Sequence, residues 1–537
     1  MPATATKARA QSAVGTRQSR LSSAQIEALK QRLADRNWRL ANLYRIVDKY
    51  GNDIQFVPNA TQRAFLAELH NRNVTLKSRQ HGFTTLAALL ALDTALFRRG
   101  TSCGLVMHKR EDAQKVFTGK IMYAYDRLPA WLRETRTIKH RDNTGVVEFS
   151  NGSKIEVSLS HRGGTLQYLH VSEYGPMCAM FPQRAQELKT GALNTVAPDG
   201  IVTIESTAYG RFGDFYQLCD RSRRLSTMIE AGTAKLTSMD YQFHFFAWHE
   251  DDGNVLDPDG VPISTELKAY FKQLHEQHDV KLTAAKKAWY AKKAEEQGDK
   301  MKREHPSTPD EAFEQAIEGA YFGKEMGKAF ADGRVCDLPI IPGVPVNTFW
   351  DIGFSDSTSI WFHQAIGPWH HFIDFYANSG EQVAHYVQVL QERGYRYGKH
   401  YLPHDGINTD WSGRDNESRK QVIAKLGIKP VELVPRVDNI QDGIDMVRRS
   451  LARCRFDRTR CGEDPPGSGR GGIPSMLAYR KAWNEQLSTY HDYPLHDWAS
   501  DGADAFRQFS QGFPLNGIND EMTRQRTRSR DRNWRTA

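Results

Sequence analysis

The sequence holds few cysteines, no long apolar run and no leader-like start, and each shortage excludes a class of protein. Its six cysteines (Cys103, Cys178, Cys219, Cys336, Cys454 and Cys461) are scattered through 537 residues. Cys454 and Cys461 lack the second ligand pair that a zinc site needs, and the scatter fits a reducing compartment better than a disulfide framework. No stretch reaches the roughly 18 apolar residues of a membrane span. The first twenty residues carry basic side chains without an apolar segment behind them, which argues against a secretory leader. No internal repeat is visible. Net charge is modest, +8 from 72 basic and 64 acidic side chains, a mild pointer to a polyanionic partner.

Hydrophobic residues make up 39% and charged residues 25%, as in ordinary globular protein, and the length calls for two domains or more. Apolar recurrence at Ile26, Leu29, Leu33, Leu40 and Leu43 predicts helix between Ser22 and Tyr50. Short apolar runs at 74–78, 101–108, 154–160, 166–173 and 200–206 then alternate with helical stretches, predicting an α/β sheet with parallel strands. Residues 264–303, rich in Lys, Ala and Glu, read as helical. Strands resume at 344–353, 370–376 and 399–406, a Gly/Pro loop follows at 461–472, and an Arg-rich tail at 523–535 reads as disordered.

The stretch VTLKSRQHGFTTLAALLAL (74–92) reads as strand, tight turn and helix, the layout of a phosphate-gripping loop. Against the pattern G-x-x-x-x-G-K-[ST], Gly82 fills the second glycine and Thr84 the magnesium-binding hydroxyl. Lys77 stands at the first glycine and Phe83 where the lysine belongs, so the cation must come from Lys77 or Arg79. Alone, the pattern fits a plain helix cap equally well. LQYLHVSEYG (166–175) is an apolar strand ending in an acid. Glu173 matches the residue that polarises the attacking water, while Ser172 sits where an aspartate would hold magnesium. GIVTIESTAYG (200–210) ends in Ser206, Thr207 and Ala208, placed to sense a γ-phosphate. In FVPNATQRAFLAEL (56–69), Gln62 begins a helix where an amide can read an adenine edge.

The second half carries acids suited to two metals. Asp351 ends the strand in VNTFWDIG, Asp405 ends the strand in KHYLPHDG, and Asp497, Asp501 and Asp504 follow in HDWASDGADAFR. Residues 501 and 504 share a helix face. Carboxylates meeting from two strand ends and a helix are how ribonuclease H-like nucleases hold a pair of Mg2+ or Mn2+ ions. Asp374, Asp356 and His404 are lesser candidates for supporting roles. Basic residues near these motifs (Arg414, Arg419, Lys420, Arg448, Arg449, Arg470 and Arg480) suit salt-sensitive phosphate contact.

Taken together, PNATQRAF, LKSRQHGFTT, HVSEYG, IESTAYG, FHFFAWHE, FWDIGFSDST, LPHDG and HDWASDGADAFR make the sequence resemble the large subunit of a tailed-phage terminase over roughly residues 45 to 512. The resemblance implies an α/β chain with an N-terminal P-loop ATPase domain, its core a parallel sheet. A C-terminal nuclease domain of ribonuclease H type follows, with a mixed sheet flanked by helices. It implies an N-terminal arm and helix over 1–44, the ATPase with a helical lid over 45–335, the nuclease over 336–515, and a basic tail over 516–537. It also implies ATP bound by Gln62, Lys77, Ser78, Arg79, Gln80, Gly82, Phe83, Thr84 and Thr85, with Arg79 and Glu173 catalytic. Mg2+, replaceable by Mn2+ in the nuclease, would sit on Asp351, Asp405 and Asp504. The D-A-x-R pattern selects Asp504 as third ligand, with Asp501 second. Ser172 departs from the family's aspartate.

Implied partners are double-stranded DNA, a small terminase subunit and the capsid portal protein, with copies of the chain in a homo-oligomeric ring on the portal and a monomer in isolation. The implied setting is the host cytoplasm, transiently at the procapsid and not in the mature virion, with no membrane. Two other readings stand beside it: a repair or recombination helicase-nuclease that works without a portal, and a nucleotide-binding scaffold that no longer hydrolyses ATP.

Overall fold

The structure is a computed structural model, and it describes residues 23–211, 213–314, 319–353, 357–404, 419–437, 439–462, 470–484 and 489–514. The chain opens with helices Ser23–Ala34 and Arg36–Leu43 and a hairpin of β1 (Arg45–Val47) and β2 (Asp53–Gln55). The expected single helical stretch is therefore interrupted. Asp35 leaves helical geometry and its carboxylate accepts from Asn37 N, capping the second helix.

An eight-stranded sheet follows, built from β3 (Arg72–Lys77), β4 (Ser102–Val106), β5 (Ile138–Arg141), β6 (Val146–Phe149), β7 (Lys154–Ser158), β8 (Leu166–Ser172), β9 (Val196–Ser206) and β10 (Gln242–Phe246). Its order is β10-β3-β9-β8-β4-β7-β6-β5. The six strands from β10 to β7 pair in parallel, as the alternation of runs and helices predicted, and β6 and β5 extend the edge antiparallel. β3 lies inside the sheet with all six residues buried, so both faces must be apolar. The helix Phe83–Phe97 that follows it is apolar all round and sinks into the core.

One charge in that helix fixes where the N-terminal segment docks. Asp93 is buried and accepts from Arg39 Nη2 at 2.6 Å, Arg39 Nε at 2.9 Å and Tyr44 OH at 2.8 Å. Leu40, Leu43 and Tyr44 join the same core. The Arg36–Leu43 helix, within the segment assigned to the arm and helix over 1–44, thus packs into the core of the eight-stranded sheet. Arg39→Ala strands Asp93 in the interior, and urea unfolding should show the first unit destabilised by about 3–5 kcal/mol. A loss below about 1 kcal/mol, the level of a surface pair, would contradict this packing.

Helices Thr265–His278, Ala284–Gln297 and Met301–Glu304 occupy the segment read as helical over 264–303, and a further short helix, Pro309–Ala312, follows it. A second core begins at Tyr321, Phe322, Met326 and Ala329, ahead of the division expected at 335/336. It surrounds a seven-stranded mixed sheet of β11 (Val335–Cys336), β12 (Val346–Asp351), β13 (Ser357–Ile366), β14 (Trp369–Ser379), β15 (Tyr397–Leu402), β16 (Val431–Leu433) and β17 (Cys454–Asp457), in the order β11-β17-β14-β13-β12-β15-β16. β12, β13 and β14 form an antiparallel meander, and β15 adds parallel to β12. This is the expected ribonuclease H-type arrangement. Helix Val383–Arg393 packs on one face, and helices Ile440–Leu451, Gly472–Ala478 and Trp498–Gly512 on the other. A short hairpin, β18 (Lys481–Asn484) with β19 (Thr489–Pro494), precedes the last helix. No helix among the described residues is long and apolar enough to cross a membrane.

Candidate functional site

The first site forms where β3 runs into the Phe83–Phe97 helix. Gln80 and Gly82 adopt left-handed backbone with φ of 70° and 72° around His81, a pattern that gathers amides for an anion. Glycine is required at 82: besides the positive φ, a Cβ there would lie 2.8 Å from Gln62 Nε2. Gln62 braces the turn from outside. Its Nε2 donates to the carbonyls of His81 at 3.2 Å and Gly82 at 3.0 Å, and its Oε1 accepts from Asn59 N at 3.1 Å. With both ends of its amide engaged and the side chain buried, Gln62 holds the loop and does not face outward to read an adenine, contrary to expectation.

The buried charges converge at the C-terminal ends of β3, β8 and β9. Lys77 Nζ lies 3.0 Å from Glu205 Oε2 and 3.7 Å from Glu173 Oε1. Burial works against its charge, but Glu205 and then Glu173 outweigh it and raise the ammonium above its ordinary range. Glu205 is 2% exposed, which alone would force a carboxyl neutral. Burial pushes it up, yet Lys77 foremost, then His170 and Ser172, hold it below its ordinary value. Ser172 Oγ donates to Glu205 Oε1 at 2.7 Å, and Thr84 Oγ1 reaches the same oxygen at 3.4 Å. His170 Nε2 stands 3.8 Å away, its imidazole pushed down to about 4 by burial. Glu173 is only partly covered, and burial raises its carboxyl against the pull of Lys77. Its backbone is left-handed (φ 54°), a strained conformation for glutamate that turns the chain into the Tyr174–Met180 helix. Ser206 Oγ accepts from Gly175 N at 3.0 Å and pins that helix to β9.

Other loop residues depart from their expected roles. Phe83 is buried and packs edge-on against Phe65 at 5.4 Å and beside Phe246 at 5.1 Å. A lysine there would enter an aromatic core, which explains why the cation sits at Lys77; the Phe83 ring has no part in the phosphate site. Ser78 Oγ is 3.0 Å from His305 Nδ1 and its N–H donates to Phe246 O, so its hydroxyl serves the fold. Arg79 is ion-paired with Glu304 through Nε and donates its N–H to the Glu304 carbonyl at 3.0 Å, which turns it toward the helical segment. Gln80 is exposed. Thr85 Oγ1 accepts from Lys120 Nζ at 2.6 Å. Sequence reasoning missed Lys120, which sits in an irregular π-type turn, Phe117–Met122, with no acidic partner among the described residues.

The second site lies on the other sheet. Asp351 ends β12, and Phe349, two residues earlier and so on the same face, packs against Phe509 and Phe513 at the C-terminal end of the Trp498–Gly512 helix. Phe509 and Phe513 also pack on His363, which pairs with Asn347, whereas Trp361, which pairs with Phe349 two residues nearer Asp351, donates from Nε1 to Gly502 O at 2.9 Å. The helix therefore runs its acidic N-terminal half toward Asp351. Asp501 is buried in its first turn, and Asp504 is bound by Arg507 Nη1 at 3.1 Å, with burial raising its carboxyl. Asp405 and Asp356 lie outside the described residues. Among the described residues, no group of three His, Cys, Asp or Glu side chains is gathered to hold a metal. Asp374 is taken by Arg393 at 2.5 Å and Tyr395 OH at 3.0 Å and braces the sheet, and His404 is exposed at the end of β15.

Arg480, expected at the surface among basic residues suited to phosphate contact, is instead buried between the two units. Its Nη2 donates to Ala179 O at 2.5 Å and its Nη1 lies 3.2 Å from Asp497 Oδ2. Asp497 caps the Trp498–Gly512 helix by accepting from Ala499 N. Ala179, Ala478 and Ala499 are buried together there, with Tyr209 and Trp498 packed against them. Arg448 pairs with Asp445, and Arg449 is exposed. Arg414 and the Arg419 side chain lie outside the described residues.

No protein-family model and no curated protein matches the sequence. Solved structures similar to this chain are large terminases of bacteriophages. The HK97 bacteriophage large terminase is 11% identical, with 89% of this chain and 99% of that chain covered, at a TM-score of 0.43. The Thermus phage P74-26 large terminase ATPase domain is 16% identical, over 47% and 93%, at 0.31. The P22 large terminase nuclease domain is 12% identical, over 33% and 87%, at 0.25. Likeness at this level leaves the function to be argued from the residues.

Proposed function

We propose that the chain is the large subunit of a phage terminase. It would drive double-stranded viral DNA into a capsid by ATP hydrolysis and cut concatemeric DNA with a two-metal nuclease. The carrying observation is the meeting of Lys77, Thr84, Ser172, Glu173 and Glu205 under a glycine-turned loop, in one chain with a ribonuclease H-type sheet ending in Asp351. Another similar solved structure, the large terminase of a thermophilic bacteriophage, is a complex with ADP.

In this reading the loop amides and Lys77 receive the phosphates. Glu173 orients water and takes its proton as the oxygen–phosphorus bond forms and the bond to the leaving diphosphate breaks. Thr84 would offer a hydroxyl to Mg2+ accompanying the nucleotide, an ion that would supply charge neutralisation at the phosphates. The Tyr174–Met180 helix starts at Glu173, and Arg480 links its far end to the cap of the acidic helix. That contact gives nucleotide-driven movement a short route to the second unit. On the nuclease side, Asp351, Asp405 and Asp504, with Asp501 beside it, are hard oxygen donors suited to Mg2+ or Mn2+. Those ions would activate water and stabilise the leaving oxygen. The small subunit, the portal, a ring of copies and action in the host cytoplasm belong to the same proposal.

A forked duplex tests it against the helicase-nuclease reading. ATP should leave the two strands paired while the chain hydrolyses ATP in the presence of duplex DNA. ATP-dependent strand separation would contradict packaging.

A further inference from the structure

We infer that Glu205 takes the place of the carboxylate missing at position 172 and, with Thr84 and Ser172, holds the divalent cation that accompanies the bound nucleotide. The inference rests on the ATPase reading above.

Strand register supplies the first argument. β8 and β9 pair in parallel with Ser172 opposite Glu205, so a short serine on one strand leaves room for a longer carboxylate from its neighbour. The Ser172 hydroxyl donates to that carboxylate at 2.7 Å. A residue absent from its usual strand is thus supplied by the next one, at the same level of the sheet. The Thr84 hydroxyl, at the position where phosphate loops place their magnesium-binding oxygen, approaches the same Oε1 at 3.4 Å. Three hard oxygens therefore lie together beside the first turn of the loop helix, and Mg2+ is characteristically held by one or two carboxylates with phosphates and water.

Charge supplies the second argument. Glu205 and Glu173 share one cation, Lys77, at 3.0 and 3.7 Å. Arg79, the other nearby cation, is paired with Glu304. Two buried or half-buried carboxylates against one ammonium leave a local excess of negative charge, and interior charge is costly without compensation. When Lys77 turns to a phosphate, Glu205 loses its nearest partner at the moment a divalent cation arrives with the nucleotide.

The test is binding of a fluorescent, slowly hydrolysed ATP analogue to the full-length chain, titrated with and without Mg2+. In the parent chain Mg2+ should tighten binding. Glu205→Gln should remove about tenfold or more of that tightening, read as the ratio of Mg2+-loaded to metal-free affinity, the usual scale for metal-site substitutions. Adding Ser172→Asp to Glu205→Gln should restore the Mg2+ effect by returning a carboxylate to the other strand. If Glu205→Gln changes metal-free and Mg2+-loaded binding by the same factor, Glu205 is only a counter-charge for Lys77 and the inference is overturned. Glu205→Asp covers the case of a poorly folding Gln variant. It keeps the negative charge but withdraws it by one methylene, and an undiminished Mg2+ effect there also overturns the inference. A parent chain that binds no nucleotide would instead remove the ATPase reading, and the inference with it.

Discussion

Replacing Glu173 with glutamine is expected to lower ATP turnover by about 100- to 10,000-fold, the range for removing a positioned general base. Nucleotide binding should persist, because Lys77 and the loop amides remain. The carboxylate is the partly exposed member of the buried cluster, 3.7 Å from Lys77, at a residue held in left-handed backbone. Such strain is sustained where the surroundings over-determine it, and here the Ser206–Gly175 contact fastens the turn that follows. Burial raises the Glu173 carboxyl toward the range where a base is most effective near neutral pH. Equal turnover in the parent and Glu173→Gln chains would mean that Glu173 is not the base, and would favour a scaffold that binds nucleotide without hydrolysing it.

The second large effect is expected at Asp351. Asp351→Asn should reduce Mn2+-dependent plasmid nicking by about 1,000-fold, equivalent to the several kcal/mol that a metal contributes to such a transition state. ATP turnover should remain near the parent rate, because Asp351 ends a strand of the other sheet. Asp504→Asn and Asp501→Asn, run beside it, separate the two helix candidates: the true ligand should match the Asp351→Asn loss. Undiminished nicking in Asp351→Asn would remove the nuclease assignment while leaving the ATPase assignment intact.

The strands were readable because parallel strands buried on both faces appear as short apolar runs between turn residues, as in VTLKS and GIVTIES. Phe83 was misassigned because a motif template gives a position a role without asking where its side chain points. The Phe65 and Phe246 rings that absorb it come from a helix and a strand far apart in the chain. Glu205 was missed for a related reason. In sequence it is one acid inside a motif read for its hydroxyls, and only the pairing of β8 with β9 puts it opposite Ser172. Arg480 looked like one more surface cation because charge alone does not report burial. Its partners, Ala179 and Asp497, lie on elements that only the fold brings together. In the second half of the chain, the place of Asp351 at a strand end and the shared helix of Asp501 and Asp504 follow the sequence reading.

Whether two separate cation-dependent sites share one chain is decided by anomalous scattering from crystals soaked with Mn2+ and a slowly hydrolysed ATP analogue. One peak is expected beside Thr84, next to the analogue's phosphates, and a pair of peaks between Asp351 and the N-terminal half of the Trp498–Gly512 helix. An empty cleft at Asp351, or a nucleotide bound away from the Gly82 turn, would contradict that arrangement.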